Sequence, residues 1–190
     1  SCATTSAKLR SSLSMRRWRV TSVRKLTSPS PSLAERSMNV INTGVIEELG
    51  TLVDKVAADA AIKGAIVTSG KDALCGGADL TMLEGMSAVF GNLVRTKGEE
   101  AAAAFVFEES RKLSQLYRRL ETSGKPWVCA LNGTAMGGGF ELALACHHRI
   151  AADNPKTRLG LPEIKIGLFP GAGGTQRVAR MLAPADALQF

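Results

Sequence analysis

From Asn39 onward the apolar positions follow two rhythms. Val45, Ile46, Leu49, Leu52, Val53 and Val56 recur every three to four residues, so positions 43–60 are predicted to form an amphipathic helix. A second helical pattern runs over Glu99–Glu121, with Phe105, Leu113, Leu116, Tyr117 and Leu120 on its apolar face. Between and after these lie short apolar runs, "GAIVTS" (64–69) and "PWVCAL" (126–131), which read as buried strands. "CGGADL" is a glycine-rich turn running into a further helical stretch. "HRIAA", "TRLGL" and the turn-rich "GLFPGAGGTQRVARML" occupy the chain from position 148. Strands alternating with helices predict an α/β fold.

The stretch that fits neither rhythm is "MGGGFELALACHH" (136–148). Three glycines are a poor opening for an ordinary helix. Glu141 then sits inside an apolar run, where an ionised carboxylate is costly. Both choices demand compensation.

Composition narrows the function classes. In 190 residues the 45% hydrophobic and 22% charged fractions are those of a globular protein. The net charge of +7 is entirely local. Residues 1–37 hold eight Lys or Arg and one Glu, whereas residues 38–190 hold 16 of each sign. The body is therefore neutral and offers no nucleic-acid footprint. The basic Ser/Arg-rich segment 1–37 is expected to be disordered or foreign to the fold, with at most a weak strand around 18–26. It reads as an organelle presequence, a basic arm or a foreign sequence. A cytoplasmic location is expected, or a mitochondrial matrix one if the segment is a presequence. Four cysteines without scaffold spacing suit a reducing compartment. No metal site is expected at Cys146-His147-His148, since neighbours on a strand face opposite ways and no CxxC accompanies them.

Gly137, Gly138 and Gly139 lie between a buried strand and a helix, a place where backbone N–H groups can approach a ligand with the helix dipole behind them. They match neither a Walker loop nor a dinucleotide fingerprint, and "GAGGTQ" (171–176) also misses the latter. A tight junction without a ligand is the other reading. "CGGADL" offers a second such turn, and two turns can each direct one N–H at a developing oxyanion. Glu141 and Glu163 of "LGLPEIKIG" would then supply acid–base chemistry, although a glutamate after proline is also an ordinary solvated turn residue.

"SMNVIN", "CGGADL", "ALNGTAMGGGFELALAC" and "LGLPEIKIGLFPGAGGTQR", in this order, resemble the crotonase (enoyl-CoA hydratase/isomerase) family over residues 36–190. The 22-residue step from Glu141 to Glu163 is most similar to the hydratase half of multifunctional fatty-acid-oxidation alpha subunits. The resemblance implies a crotonase-like spiral of repeated ββα units, here an incomplete domain spanning 38–190. It implies an oxyanion hole from the N–H groups of Ala78 and Gly138, and Glu141 and Glu163 as the catalytic pair. Arg36 and the backbone of Gly76, Gly77, Ala78, Asp79 and Leu80 would contact coenzyme A. That nucleotide belongs to the acyl-CoA substrate, and no further cofactor is implied. Apolar neighbours Leu142, Leu161 and Phe169 would raise a glutamate pKa.

The pattern departs from the family in three ways. Residues 1–35 supply no clear opening strands, and the chain stops at Phe190 inside a helical stretch. The stretch between Ala78 and Gly138 is longer than in most single-function hydratases, which leaves the acyl-chain length preference open. The expectation is an aggregation-prone, nearly inactive fragment of a protein that assembles as a homotrimer or in a multifunctional complex. Hydratase, isomerase and a non-catalytic CoA-ester-binding module remain the competing readings. A membrane span and a nucleic-acid partner are not expected.

Overall fold

The computed structural model describes strand β1 (Val23–Lys25) and residues 38–189. In chain order the elements after β1 are α1 (Thr43–Ala58), β2 (Ala65–Thr68), α2 (Leu80–Lys97), α3 (Glu99–Glu121), β3 (Trp127–Leu131) and β4 (Ala135–Met136). Then come α4 (Gly138–Ala145), β5 (His148–Ala151), β6 (Leu159–Gly160), a 3-10 turn (Glu163–Ile166), α5 (Gly174–Met181) and α6 (Pro184–Ala187).

Four strands make one parallel sheet in the order β1-β2-β3-β5. Parallel neighbours need crossovers, and helices supply them. The β2-to-β3 crossover is the α2–α3 hairpin, whose two helices pack on each other. Ala65 and Val67 of β2 and Trp127, Cys129 and Leu131 of β3 are buried, alternating with less buried neighbours as the pleat requires. Part of the region where only a weak strand was expected, Val23–Lys25, adds beside β2 at the sheet's edge.

A second layer is made of very short pairings. Ile41 bridges Ala78, Cys75 bridges Ala135, and β4 pairs in parallel with β6. Each of these segments follows a strand of the main sheet or leads into a helix, which yields the repeated two-strands-and-helix unit. The Cys75–Ala135 bridge sets the turns that open α2 and α4 side by side.

Local chemistry explains the element ends. Asn42 caps α1 by accepting the Val45 N–H at 3.0 Å. The helix closes two residues before its expected end because Asp59 turns extended and accepts the Ala61 N–H at 2.8 Å. Acidic Glu99 and Glu100 open α3, and Arg118 and Arg119 close it, both favourable to the helix dipole. Arg119 reaches across to Asp54 of α1. Leu49, Val53 and Val56 of α1 meet Leu116, Tyr117 and Leu120 of α3 in the core over the sheet. Among the described residues no helix is long and apolar enough to cross a membrane.

Candidate active site

Two glycines place the turns. Gly77 has φ +109° and Gly137 φ +51°, conformations that L-residues with side chains rarely adopt. They also meet closely: a Cβ on Gly77 would lie 3.3 Å from the Met136 carbonyl oxygen, and one on Gly137 would lie 3.7 Å from the Gly77 Cα. The first turn of α4 is closed by the Glu141 N–H on the Gly137 carbonyl at 2.9 Å. The Gly138 N–H is thus one of the helix-opening donors that have no intrahelical acceptor. In the facing turn, Gly77 C=O accepts from Ile41 and Asp79 N–H donates to Ile41, at 2.8 and 2.9 Å. That bridge leaves the Ala78 N–H facing away from Ile41, as strand alternation requires.

Glu141 is only 2% exposed. Its Oε1 accepts the N–H groups of Ala172 at 2.9 Å and Gly174 at 2.8 Å, both from the loop that opens α5. Burial pushes its pKa up, the two backbone donors hold it down, and the nearby Glu163 charge adds to the rise; the net direction is upward. The carboxylate in the apolar run is therefore hydrogen-bonded, as a buried charge must be. Glu163 heads the 3-10 turn after Pro162, partly buried, with Oε1 3.0 Å from where a Gly137 Cβ would stand. Its Oε2 is buried without a partner, and burial raises its pKa as well. Both glutamates thus border the Gly137–Gly138 turn. Glu141 Oε2 lies 3.9 Å from the Cβ position of Gly138. The site brings two carboxyl groups, both biased by burial toward holding protons, to the Gly137–Gly138 turn.

Behind this pair stand residues the sequence pattern did not single out. The Tyr117 hydroxyl, fully buried, donates to the Gly138 carbonyl at 2.8 Å. Burial, then the neighbouring Cys75 and Glu141, drive its pKa well above a usual tyrosine. The buried Cys75 thiol, also shifted up by burial, receives the Gly77 N–H at 3.5 Å. Periodicity marked Tyr117 as core, and nothing in it distinguished a hydroxyl aimed at a turn. The "GAGGTQ" run that fails as a nucleotide loop is the cradle of Glu141, a role that its glycine pair before a helix signals only once the fold is known.

Gly76 is exposed and donates its N–H to the Asn39 carbonyl at 2.8 Å, while Asp79 caps α2 by accepting from the Thr81 N–H. Leu80 is 59% exposed, so the outer rim of this turn is open to a ligand. Arg36 lies outside the described residues. Leu142 and Leu161 are buried as expected, and Leu161 shares the surroundings of Gly174 with Glu141. Phe169 is not part of the apolar wall: it is 80% exposed on the loop after the 3-10 turn, so the burial acting on Glu141 comes from elsewhere. His147 Nδ1 accepts the Trp127 N–H at 3.2 Å. Among the described residues no group of three or more His, Cys, Asp or Glu is placed to hold a metal ion.

The profile of the family described as Enoyl-CoA hydratase/isomerase matches residues 32–190, and the chain belongs to that family. The fatty acid oxidation complex subunit alpha of Idiomarina loihiensis is 38% identical over 154 residues, covering 80% of this chain and 20% of that protein. The same subunit of Shewanella frigidimarina is 40% identical over 155 residues, with 81% and 20% covered. The chain thus spans about a fifth of the length of the curated relatives it matches. An enoyl-CoA hydratase from Bacillus anthracis has a similar structure, with a TM-score of 0.64 and 30% identity over 82% of this chain and 54% of that one. The repeated ββα architecture is the crotonase fold.

Proposed function

We propose that this chain carries the active site of an enoyl-CoA hydratase, which adds water syn across the double bond of trans-2-enoyl-CoA thioesters in fatty-acid β-oxidation. The observation that carries the reading is the meeting of Glu141 and Glu163 at the Gly137–Gly138 turn, beside the Ala78 turn. Water attacks the β-carbon while Glu141, as the carboxylate, takes its proton. Negative charge builds on the thioester oxygen, which the Ala78 and Gly138 N–H groups hold. One such donor contributes roughly 3–4 kcal/mol in comparable oxyanion holes. Glu163, protonated, delivers a proton to the α-carbon, so that H and OH are both accounted for. Arg36 and the Gly76–Leu80 backbone contact the coenzyme A moiety, and the reaction needs no other cofactor. The name of the relatives supports a place in a multifunctional complex, and their bacterial origin supports a cytoplasmic one.

Isomerisation, which the family description also covers, can run with one glutamate shuttling the proton. Two carboxyl groups at one turn favour hydration. Crotonyl-CoA and the whole protein decide the matter, read at the absorbance band of the conjugated thioester and by amide NMR. Loss of the band that disappears in Glu141→Gln and Glu163→Gln is the expected result. Amide shifts at Ala78 and Gly138 without loss of the band would replace the enzyme by a CoA-ester-binding module. No response in either measurement would overturn the assignment of the site.

A further inference from the structure

The Glu141 cradle is a loop, and loops hold a catalytic geometry only when something stiffens them. Here the stiffening comes from outside the site. Arg177 of α5 donates from Nε to Glu121 Oε1 at 2.7 Å and from Nη2 to Glu121 Oε2 at 3.0 Å, a two-pronged pair at the C-terminal end of α3. Its third nitrogen, Nη1, donates to the Ala172 carbonyl at 2.6 Å. The side chains of Arg177 and Glu121 are 11% and 24% exposed, so solvent screens this pair less than a surface one. Gly173 leaves the room: a Cβ there would stand 2.6 Å from Nη1. Ala172 is consequently held on both sides, its C=O by Arg177 and its N–H by Glu141 Oε1. Arg118, whose side chain is 70% exposed, reaches the same Glu121 at 3.2 Å from the solvent side and adds little.

We infer that the Glu121–Arg177 pair is a positioning device for the proposed water-activating group: it locks the 172–174 loop so that two backbone donors stay on one oxygen of Glu141. The inference rests on the hydratase reading only for its kinetic consequence. Its structural consequence is the proton affinity of Glu141 itself. The titratable and charged groups around Glu141 are Glu163 from the 3-10 turn, Arg177 from α5 and Tyr117 from α3, with Tyr117 itself facing Cys75 and Cys146. Against that background two variants separate position from charge. Arg177→Lys keeps the cation and loses the fork, because an ammonium cannot serve Glu121 and the Ala172 carbonyl in the same geometry. Glu121→Gln removes a negative charge, which by electrostatics alone makes Glu141 easier to ionise. If the loop loosens instead, Glu141 loses donors to its charged form and becomes harder to ionise. The two effects have opposite sign.

The test uses the full chain with 13C-labelled glutamate side chains, the Glu141 signal being identified by its loss in Glu141→Gln. In both variants we expect Glu141 to titrate at higher pH than in the parent. The acid limb of kcat/KM for crotonyl-CoA should move with it, kcat should fall about tenfold, and KM should stay within about twofold. An unchanged or lowered Glu141 titration in both variants, with only thermal stability reduced, would make the pair a structural staple and overturn the inference. If Arg177→Lys does not fold, Glu121→Gln at the helix end carries the same decision. If the parent chain does not hydrate crotonyl-CoA, the hydratase reading fails separately, and the titration still judges the clamp.

Discussion

Gly174→Ala tests whether the Glu141 carboxylate is placed by backbone contact with the loop that opens α5. Gly174 has an ordinary φ, so alanine brings no backbone strain. What it brings is a methyl group. Its Cβ would stand 2.9 Å from Glu141 Cγ, 2.9 Å from Leu161 Cδ1 and 3.0 Å from Glu141 Oε1. Carbon atoms rest at about 3.5–4.0 Å, so the two carbon contacts are short by at least roughly 0.6 Å. Leu161 is buried against the core and Glu141 is anchored on Ala172, so neither gives way freely. Overpacking of this kind costs about 1–3 kcal/mol. A displacement approaching 1 Å at a reacting group lowers the rate by about 10²-fold. We therefore expect Gly174→Ala to lower the melting temperature by several degrees and kcat for crotonyl-CoA by one to two orders of magnitude, roughly. Affinity for the CoA ester should hold, since the proposed coenzyme A contacts lie at Arg36 and Gly76–Leu80 and not in this loop. Stopped-flow hydration, thermal denaturation and ligand titration on one preparation give all three. A variant with parental kcat and melting temperature would show that Glu141 does not depend on the approach of this backbone.

Single contacts lead to further expected outcomes. Glu141→Gln should cut hydration by about 10²–10⁴-fold, the usual worth of a positioned general base. It should also change the pH dependence of stability. Because the folded Glu141 pKa is raised, the native state holds its proton more tightly than the unfolded chain does, and the associated stability is present at acid pH. It is lost as pH rises from about 4.3 through the folded value, so the glutamine variant should gain on the parent with rising pH in denaturant titrations. A stability difference independent of pH would contradict the raised pKa. Gly138→Val should abolish turnover while the circular dichroism persists, because a Cβ already lies 3.1 Å from Ile41 Cδ1 before its methyls are added. Tyr117→Phe removes one buried hydrogen bond to the Gly138 carbonyl, and chemical denaturation should register a loss of about 1 kcal/mol.

By itself the sequence determined the periodic elements and singled out Glu141 and Glu163 as candidates for the chemistry. The α3 helix falls on Glu99–Glu121 as its apolar spacing requires, and β2 and β3 fall on the two short apolar runs, because hydrophobic period is a local property. Glu141 stood out because a carboxylate in an apolar run breaks a local rule, and such breaks collect at functional sites. Glycines with positive φ could be anticipated at the "CGGADL" and "MGGGFE" turns for the same local reason. What the pattern left open were contacts between segments far apart in the chain. Ala172 and Gly174 reach Glu141 across 31 and 33 residues, Tyr117 reaches Gly138 across 21, and Arg177 reaches Glu121 across 56. Phe169 was expected inside and lies outside, since a loop residue's burial depends on what packs over it and not on its own polarity. Hydrophobicity says that a side chain prefers to be covered, whereas only the tertiary fold decides which donors meet a buried charge.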